Sequence, residues 1–330
     1  FLNQAAALVH VYTDGSVSVS TGAVEMGQGV NTKIAGIAAH TLGVSNPRIR
    51  IETTNTTRVA NTSPTAASSG ADMNGRAVEI ACGMILDRLL AVAAQRLDTS
   101  ADRVTIHDDA ILLDGRATDL GWDQLVWHAY SQRISLTAQA HYATPGIWYD
   151  REREQGEPFA YHVFGTAVVE ATVDCLRGTA TIDRVRMVHD AGRPLNEVID
   201  RGQAEGGLLQ GIGWMTMEEL LFDDGHNISN TLSTYKVPDL LATPEIEVVF
   251  LDDADNPKAV LRSKAIGEPP LMYGIGAYFA IKSAMQAFRR DLPLPFSAPL
   301  TPEKILSALY ASGTGDPFPE HLPSPAAVVD

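Results

Sequence analysis

Two stretches of this chain present the same order of patterns: residues of alternating polarity, a glycine followed by a glutamine, and apolar residues at helical spacing. Hydrophobic periods of two and of 3.6 cannot both be met by one kind of element, so the chain must combine strands with covering helices. In the first stretch residues 8–20 alternate around Asp14-Gly15, a dipeptide suited to a tight hairpin turn. Glu25-Met26-Gly27-Gln28-Gly29 follows. Asn31 is placed to cap a helix whose apolar residues Ile34, Ile37, Ala38 and Leu42 share one face, and Gly43 ends it. Residues 48–53 read as a strand, and a longer helix carries Val78, Ala81, Cys82, Ile85, Leu89 and Val92 along one side.

The second stretch begins near Tyr161. Residues 161–173 and 179–189 read as strands joined by a turn at Leu176-Arg177-Gly178, and Gly202-Gln203-Ala204-Glu205-Gly206-Gly207 opens or lies inside a helical run through Leu209 and Ile212. Further strands are expected near 217–222 and 245–251. Thr301-Pro302 supplies a cap and a first-turn proline for a last helix. The expected fold class is α+β, with two related mixed lobes at 1–150 and 151–312 and a proline-rich tail at 313–330.

Charge and cysteine usage remove several functions. A net charge of −15 over 330 residues argues against a nucleic-acid partner or an anionic membrane surface, both of which need a basic patch. No run of 18 apolar residues is present, so no membrane-spanning helix is expected. Cys82 and Cys175 are far apart without a C-x-x-C, so thiolates here build neither a zinc cage nor an iron–sulfur cluster, and reduced thiols suit a cytoplasmic protein. Gly27/Gly29, Gly211/Gly213 and Gly274/Gly276 lack the third glycine of a dinucleotide fingerprint, and the zinc-protease, serine-hydrolase and P-loop signatures are missing. His189-Asp190 reads as a hydrogen-bonded strand end. The chain opens on Phe1-Leu2-Asn3-Gln4, without methionine or a hydrophobic signal core, and is expected to be a piece or processed subunit of something longer.

Three features carry chemistry. Lys264-Ala265-Ile266-Gly267-Glu268-Pro269-Pro270 fixes one carboxylate between a glycine, which permits close backbone approach or a positive φ, and two rings of fixed φ. Helical spacing resumes at Leu271, so Glu268 stands at a helix start. There it can serve as an aimed base or simply answer the helix dipole. Thr62-Ser63-Pro64-Thr65-Ala66-Ala67-Ser68-Ser69-Gly70 is a run of small side chains ahead of the long helix, open to an anionic ligand or to ordinary hydroxyl capping. Gln28 and Gln203 each donate and accept, toward a ligand or toward local backbone. Together these segments describe one site built from distant parts of the chain.

Those residues resemble the C-terminal part of the molybdopterin-binding domain in the xanthine oxidase family of molybdenum hydroxylases, in particular its xanthine dehydrogenases. The resemblance runs to about Tyr310. It rests on the hairpin Val9-His10-Val11-Tyr12-Thr13-Asp14-Gly15-Ser16-Val17, on Glu25 to Gly29, on Asn61 to Ser68, on Gly202-Gln203-Ala204-Glu205-Gly206, on Ser233-Thr234-Tyr235-Lys236-Val237-Pro238 and on Ser263 to Pro270. It implies a molybdopterin whose molybdenum carries oxo and sulfido groups, contacted by Gly27, Gln28, Gly29, Ala66, Ala67, Ser68 and Gln203, with no direct protein ligand to the metal. It implies Glu268 as the catalytic base and Leu2 as a substrate-channel position.

The activity implied is hydroxylation of hypoxanthine or xanthine with water-derived oxygen. Electrons would leave through [2Fe-2S] clusters and FAD on other segments or subunits, and the remaining molybdenum-domain segment would be a partner. Alternatives are a split-subunit hydroxylase of another N-heterocycle such as nicotinate, and a non-catalytic cofactor-binding or assembly subunit. Val24 and Ala60 depart from the threonine and proline common in xanthine dehydrogenases.

Overall fold

The computed structural model describes residues 3–252, 254–292 and 296–310. Their contacts divide the chain into two compact units. The first holds the chain up to Val163 together with Ala191–Asp200 and Asp252–Ala265, and the second holds Phe164–Asp190, Arg201–Leu251 and the chain from Ile266 onward. The first unit thus runs past residue 150, because Tyr161 is tied back into it by hydrogen bonds to Asp72 and to the Ala265 N–H. The expected tail at 313–330 lies outside the described residues, as does Leu2.

In the first unit the strands β1 (Gln4–Val11) and β2 (Val17–Thr21) pair antiparallel, Val11 facing Val17 across the expected turn. Gly15 takes φ 80° there, and Asp14 Oδ1 accepts from the Ser16 N–H at 3.0 Å. After α1 (Val30–Leu42), β3 (Ile49–Ile51) lies parallel to β2. The 27-residue helix α2 (Gly70–Arg96) buries Val78, Ala81, Cys82, Ile85, Leu89 and Val92. A meander of β4 (Val104–His107), β5 (Ala110–Leu113) and β6 (Arg116–Gly121) leads into α3 (Trp122–Ser131).

The fully buried Trp122 donates its indole N–H to the Gly15 carbonyl at 2.8 Å, which anchors the first hairpin to α3. β7 (Thr137–Ala143) then completes a four-stranded sheet in the order β3-β2-β1-β7. The short strands β8 (Trp148–Asp150) and β9 (Gln155–Glu157) pair with each other. The core forms where α1 and α2 cover the sheet, with Val9, Val19, Ile34, Ile37, Ile85 and Leu89 buried together.

The second unit is built on β10 (Gly165–Asp174), β11 (Thr179–His189) and β14 (Glu245–Phe250), with β11 antiparallel to β10 and parallel to β14. Between them in sequence come α4 (Glu197–Thr216), whose first four residues belong to the first unit, and the two-residue strands β12 (Phe222–Asp223) and β13 (His226–Asn227). A 3₁₀ helix, Pro269–Gly274, runs directly into α5 (Ile275–Phe288), and α6 (Pro302–Tyr310) follows. Leu208 and Ile212 of α4 and Ile281 and Met285 of α5 pack against Val185 and Met187 of β11.

Mixed strands and helices are therefore observed, with differences in detail. Residues 217–222 give only the start of β12: the N–H groups of Met217 and Glu218 still bond back to the Gly213 carbonyl at the end of α4. The strand expected from 161 starts at Gly165. Asn31 lies inside α1 and caps nothing; Gly29 takes the cap position with φ 78° and no side-chain bond. Cys82 is buried, its thiol pushed up to about 12 by burial, whereas Cys175 is only half-buried. Among the described residues no helix is long and apolar enough to cross a membrane.

Candidate functional site

Residues 24–29 in the first unit form a loop organised from within. Gly27 and Gly29 take φ of 99° and 78°, values that favour glycine. The Glu25 carboxylate accepts the N–H groups of Gly27 and Gly29 through Oε1, each at 2.9 Å, and that of Asn31 through Oε2 at 3.0 Å. Burial would raise the Glu25 pKa, but the bonds from Asn31, Gly29, Gly27 and Met26 outweigh it and hold the carboxyl below its ordinary value. Gln28 folds across the same loop: its Oε1 accepts from the Met26 N–H at 2.6 Å and its Nε2 donates to the Val24 carbonyl at 2.8 Å. At Gly29 a Cβ would lie 2.8 Å from Ile199, whereas at Gly27 it would meet nothing within 4 Å.

The small-residue loop lies beside this one. Thr65 Oγ1 accepts the Val24 N–H at 3.0 Å, and Ser63 is tied to β1 in both directions through Gln4. Ala67 and Ser68 both adopt left-handed backbone, at φ 56° and 55°. The Ala66 carbonyl accepts the Ser69 hydroxyl at 3.1 Å just before α2 begins. The implied contact residues Gly27, Gln28, Gly29, Ala66, Ala67 and Ser68 are thus neighbours within one unit.

A polar cluster that the sequence did not reveal sits near the start of α2. Asp72 accepts the Tyr161 hydroxyl, while Tyr161 in turn accepts the Ala265 N–H at 2.9 Å. Burial pushes the Asp72 carboxyl up to about 6, against the opposing pull of Tyr161, Lys33 and Ser263, and burial together with Asp72 holds the Tyr161 phenol well above its usual range. The buried Lys33 of α1 pairs with the buried Asp200.

In the second unit, Gln203 lies within α4, one turn ahead of Gly207 and two ahead of Gly211 on the same helix face. That face meets the glutamate motif through bare backbone. A Cβ on Gly207 would lie 3.2 Å from the Gly267 carbonyl, and one on Gly211 would lie 2.1 Å from the Leu271 carbonyl. Close approach is therefore what Gly207 and Gly211 provide, and Gly267 is not among the glycines at positive φ. Pro269 and Pro270 begin the 3₁₀ helix, Glu268 precedes it with φ −99° and ψ −39°, and its carbonyl accepts the Leu271 N–H at 3.1 Å. The Glu268 side chain is exposed. His189, at the end of β11, bonds the Tyr273 hydroxyl through Nδ1 at 2.7 Å, as a strand-end histidine would.

Glu25 and Thr65 are the site residues that sequence reasoning missed. The only signal was Glu25 two residues ahead of a glycine in a loop, which by itself does not specify three backbone bonds.

The family described as the molybdopterin cofactor-binding domain matches residues 1–244. Xanthine dehydrogenase/oxidase of Gallus gallus is 41% identical over 330 residues, covering 98% of this chain and 22% of that protein. Quinoline 2-oxidoreductase from Pseudomonas putida 86 shares the fold at a TM-score of 0.76 and 23% identity, over 93% of this chain and 38% of that one. Aldehyde oxidoreductase from Desulfovibrio gigas gives a TM-score of 0.75 at 25% identity, over 93% and 30%. The chain spans little more than a fifth of the length of the curated relatives it matches.

Proposed function

The chain belongs to the molybdopterin cofactor-binding domain family, and from that premise we propose that it is the cofactor-holding part of a molybdenum hydroxylase of the xanthine dehydrogenase kind. The observation that carries this reading is the Val24 to Thr65 bond, which sets the Gln28 loop beside the Ala66, Ala67, Ser68 loop. The residues present fit a polar pterin. Gln28 spends one N–H and one lone pair on its own loop, and a primary amide carries two of each. The open space beside Gly27 leaves its backbone approachable, and the N–H groups opening α2 lack partners within the helix.

In this reading Gly27, Gln28, Gly29, Ala66, Ala67, Ser68 and Gln203 contact the pterin, and no side chain binds the metal. When bound, the cofactor supplies the two-electron redox chemistry, while the protein supplies orientation and a proton acceptor. Glu268 fills the second role: a carboxylate Oε takes up a proton, and its backbone is fixed at the start of the 3₁₀ helix, where its carbonyl accepts the Leu271 N–H. The favoured substrates are xanthine and hypoxanthine, by similarity to the relatives.

The electrons would be taken up by [2Fe-2S] clusters and FAD on other segments, and a further molybdenum-domain segment would be a partner of this chain. Extensive apolar exposure in the second unit supports such partners, with Leu232, Leu240 and Leu241 at 83%, 89% and 93%.

Glu268→Gln in the assembled enzyme tests the assignment, since shape is kept and proton acceptance is lost. Molybdenum content stays at the parent level while turnover falls by about 10² to 10⁴. Full metal content with turnover within about threefold of the parent would return Glu268 to a helix-start role.

A further inference from the structure

Cofactor contact by Gln28 does not by itself require the arrangement found at Glu25. One carboxylate takes three backbone N–H groups, at 2.9, 2.9 and 3.0 Å, from a loop whose two glycines both sit at positive φ. A segment with two glycines is costly to order, because glycine has the most conformational freedom to lose. Charge-assisted bonds are the strong ones, and these three span both glycines and the first turn of α1. Gly29, at the cap position, brings no side-chain bond of its own, so Glu25 provides what a capping side chain would. Gln28 lies between the two glycines that Glu25 holds. Its amide bonds Met26 and Val24 of the same loop, so its aim follows the order of the loop that Glu25 ties together.

We propose that Glu25 is a positioning residue that keeps the Gln28 loop in its binding geometry before the cofactor arrives. The inference rests on the reading that Gln28 contacts the pterin. It assigns to Glu25 no contact with cofactor or substrate. Its effect is entropic: the cofactor meets an ordered loop and does not have to order one.

The test uses the assembled enzyme with cofactor bound, in the parent and in Glu25→Gln, Glu25→Asp and Gln28→Ala. Glu25→Gln keeps length and removes charge; Glu25→Asp keeps charge and shortens reach. Three quantities are read: the rate at which pterin is lost from the desalted protein, hydrogen exchange at the Gly27, Gly29 and Asn31 amides in the assembled enzyme after the pterin has been lost, and the midpoint of thermal unfolding. Expected for Glu25→Gln are pterin loss and amide exchange both faster by about tenfold or more, with the unfolding midpoint nearly unchanged. Glu25→Asp should fall between it and the parent.

If Gln28→Ala speeds pterin loss and Glu25→Gln does not, Glu25 does not position the loop. A lowered midpoint in Glu25→Gln with parent-like pterin loss overturns the inference equally, because Glu25 would then only cap α1. If Gln28→Ala itself leaves pterin loss unchanged, the reading of Gln28 fails, and the inference with it.

Discussion

Gly211→Ala and Gly206→Ala place the same methyl group on the same helix with opposite expected signs. Both positions lie inside α4, where replacing glycine by alanine favours the helix by about 1 kcal/mol. At Gly206 the added Cβ meets nothing within 4 Å, so that gain stands. At Gly211 it would lie 2.1 Å from the Leu271 carbonyl oxygen and 3.0 Å from the Gly274 Cα. The first distance is more than about 1 Å inside a normal contact, and the obstacle is backbone, which cannot rotate away.

Overpacking costs about 1 to 3 kcal/mol, and a backbone obstacle puts this site at the upper end. The net expectation for Gly211→Ala is a loss of about 2 kcal/mol against a gain of about 1 kcal/mol for Gly206→Ala. For a unit of this size that separation amounts to midpoints on the order of 10 °C apart. Urea and thermal unfolding followed by far-ultraviolet circular dichroism measure both variants. Equal midpoints, or a more stable Gly211→Ala, would refute the claim that α4 meets the glutamate motif through bare backbone.

Two further expectations concern buried charge in the first unit. The Asp72 carboxyl stands at about 6 in the folded protein against an ordinary 3.8, so between about pH 4 and 6 the folded form keeps a proton that the unfolded chain has released. Its contribution is therefore full below pH 4 and is lost as the pH rises through 6, a fall of at most about 3 kcal/mol. Unfolding free energies across pH 4 to 7 should show this slope in the parent and lose it in Asp72→Asn; parallel curves would contradict it. Lys33→Met leaves Asp200 buried without its cation and should cost about 3 to 5 kcal/mol in urea unfolding. A loss under about 1 kcal/mol would mean that water reaches the pair.

What could be read from sequence was what local rules specify. Asp14-Gly15 between alternating residues favours a tight hairpin, and the apolar face of α2 specifies a helix with one side buried. The meander from β4 to β6 went unread because strands of only four to six residues are too short to give a clear periodic signal. Asn31 has the chemistry of a cap, but the choice was settled by a carboxylate six residues upstream, which no capping rule weighs. Residues 217–222 are apolar enough for a strand, but Met217 and Glu218 bond back to Gly213 of α4 and only Phe222 is strand-paired. At the candidate site the residue types were legible and their neighbourhoods were not. Nothing in the order of residues says that Thr65 accepts the Val24 N–H, or that Gly207 rests on Gly267.

The discontinuity of the first unit has a consequence for synthesis. The central strand β1 is translated well before its partner β7, which places Ala143 opposite Gln4, so one edge of β1 waits for most of a domain to be made. Lys33 waits longer, since the carboxylate that neutralises it is Asp200. Longer still is the delay for Gly75, whose neighbour Val260 arrives from a segment made after β14. A nascent chain stopped at residue 163 would hold nearly all the sheet of this unit together with an uncompensated buried lysine and an unfilled groove on α2. The first unit is therefore completed only when its segment at 252–265 has been made, and a chaperone that delays collapse until residue 265 has emerged would raise the yield of folded protein.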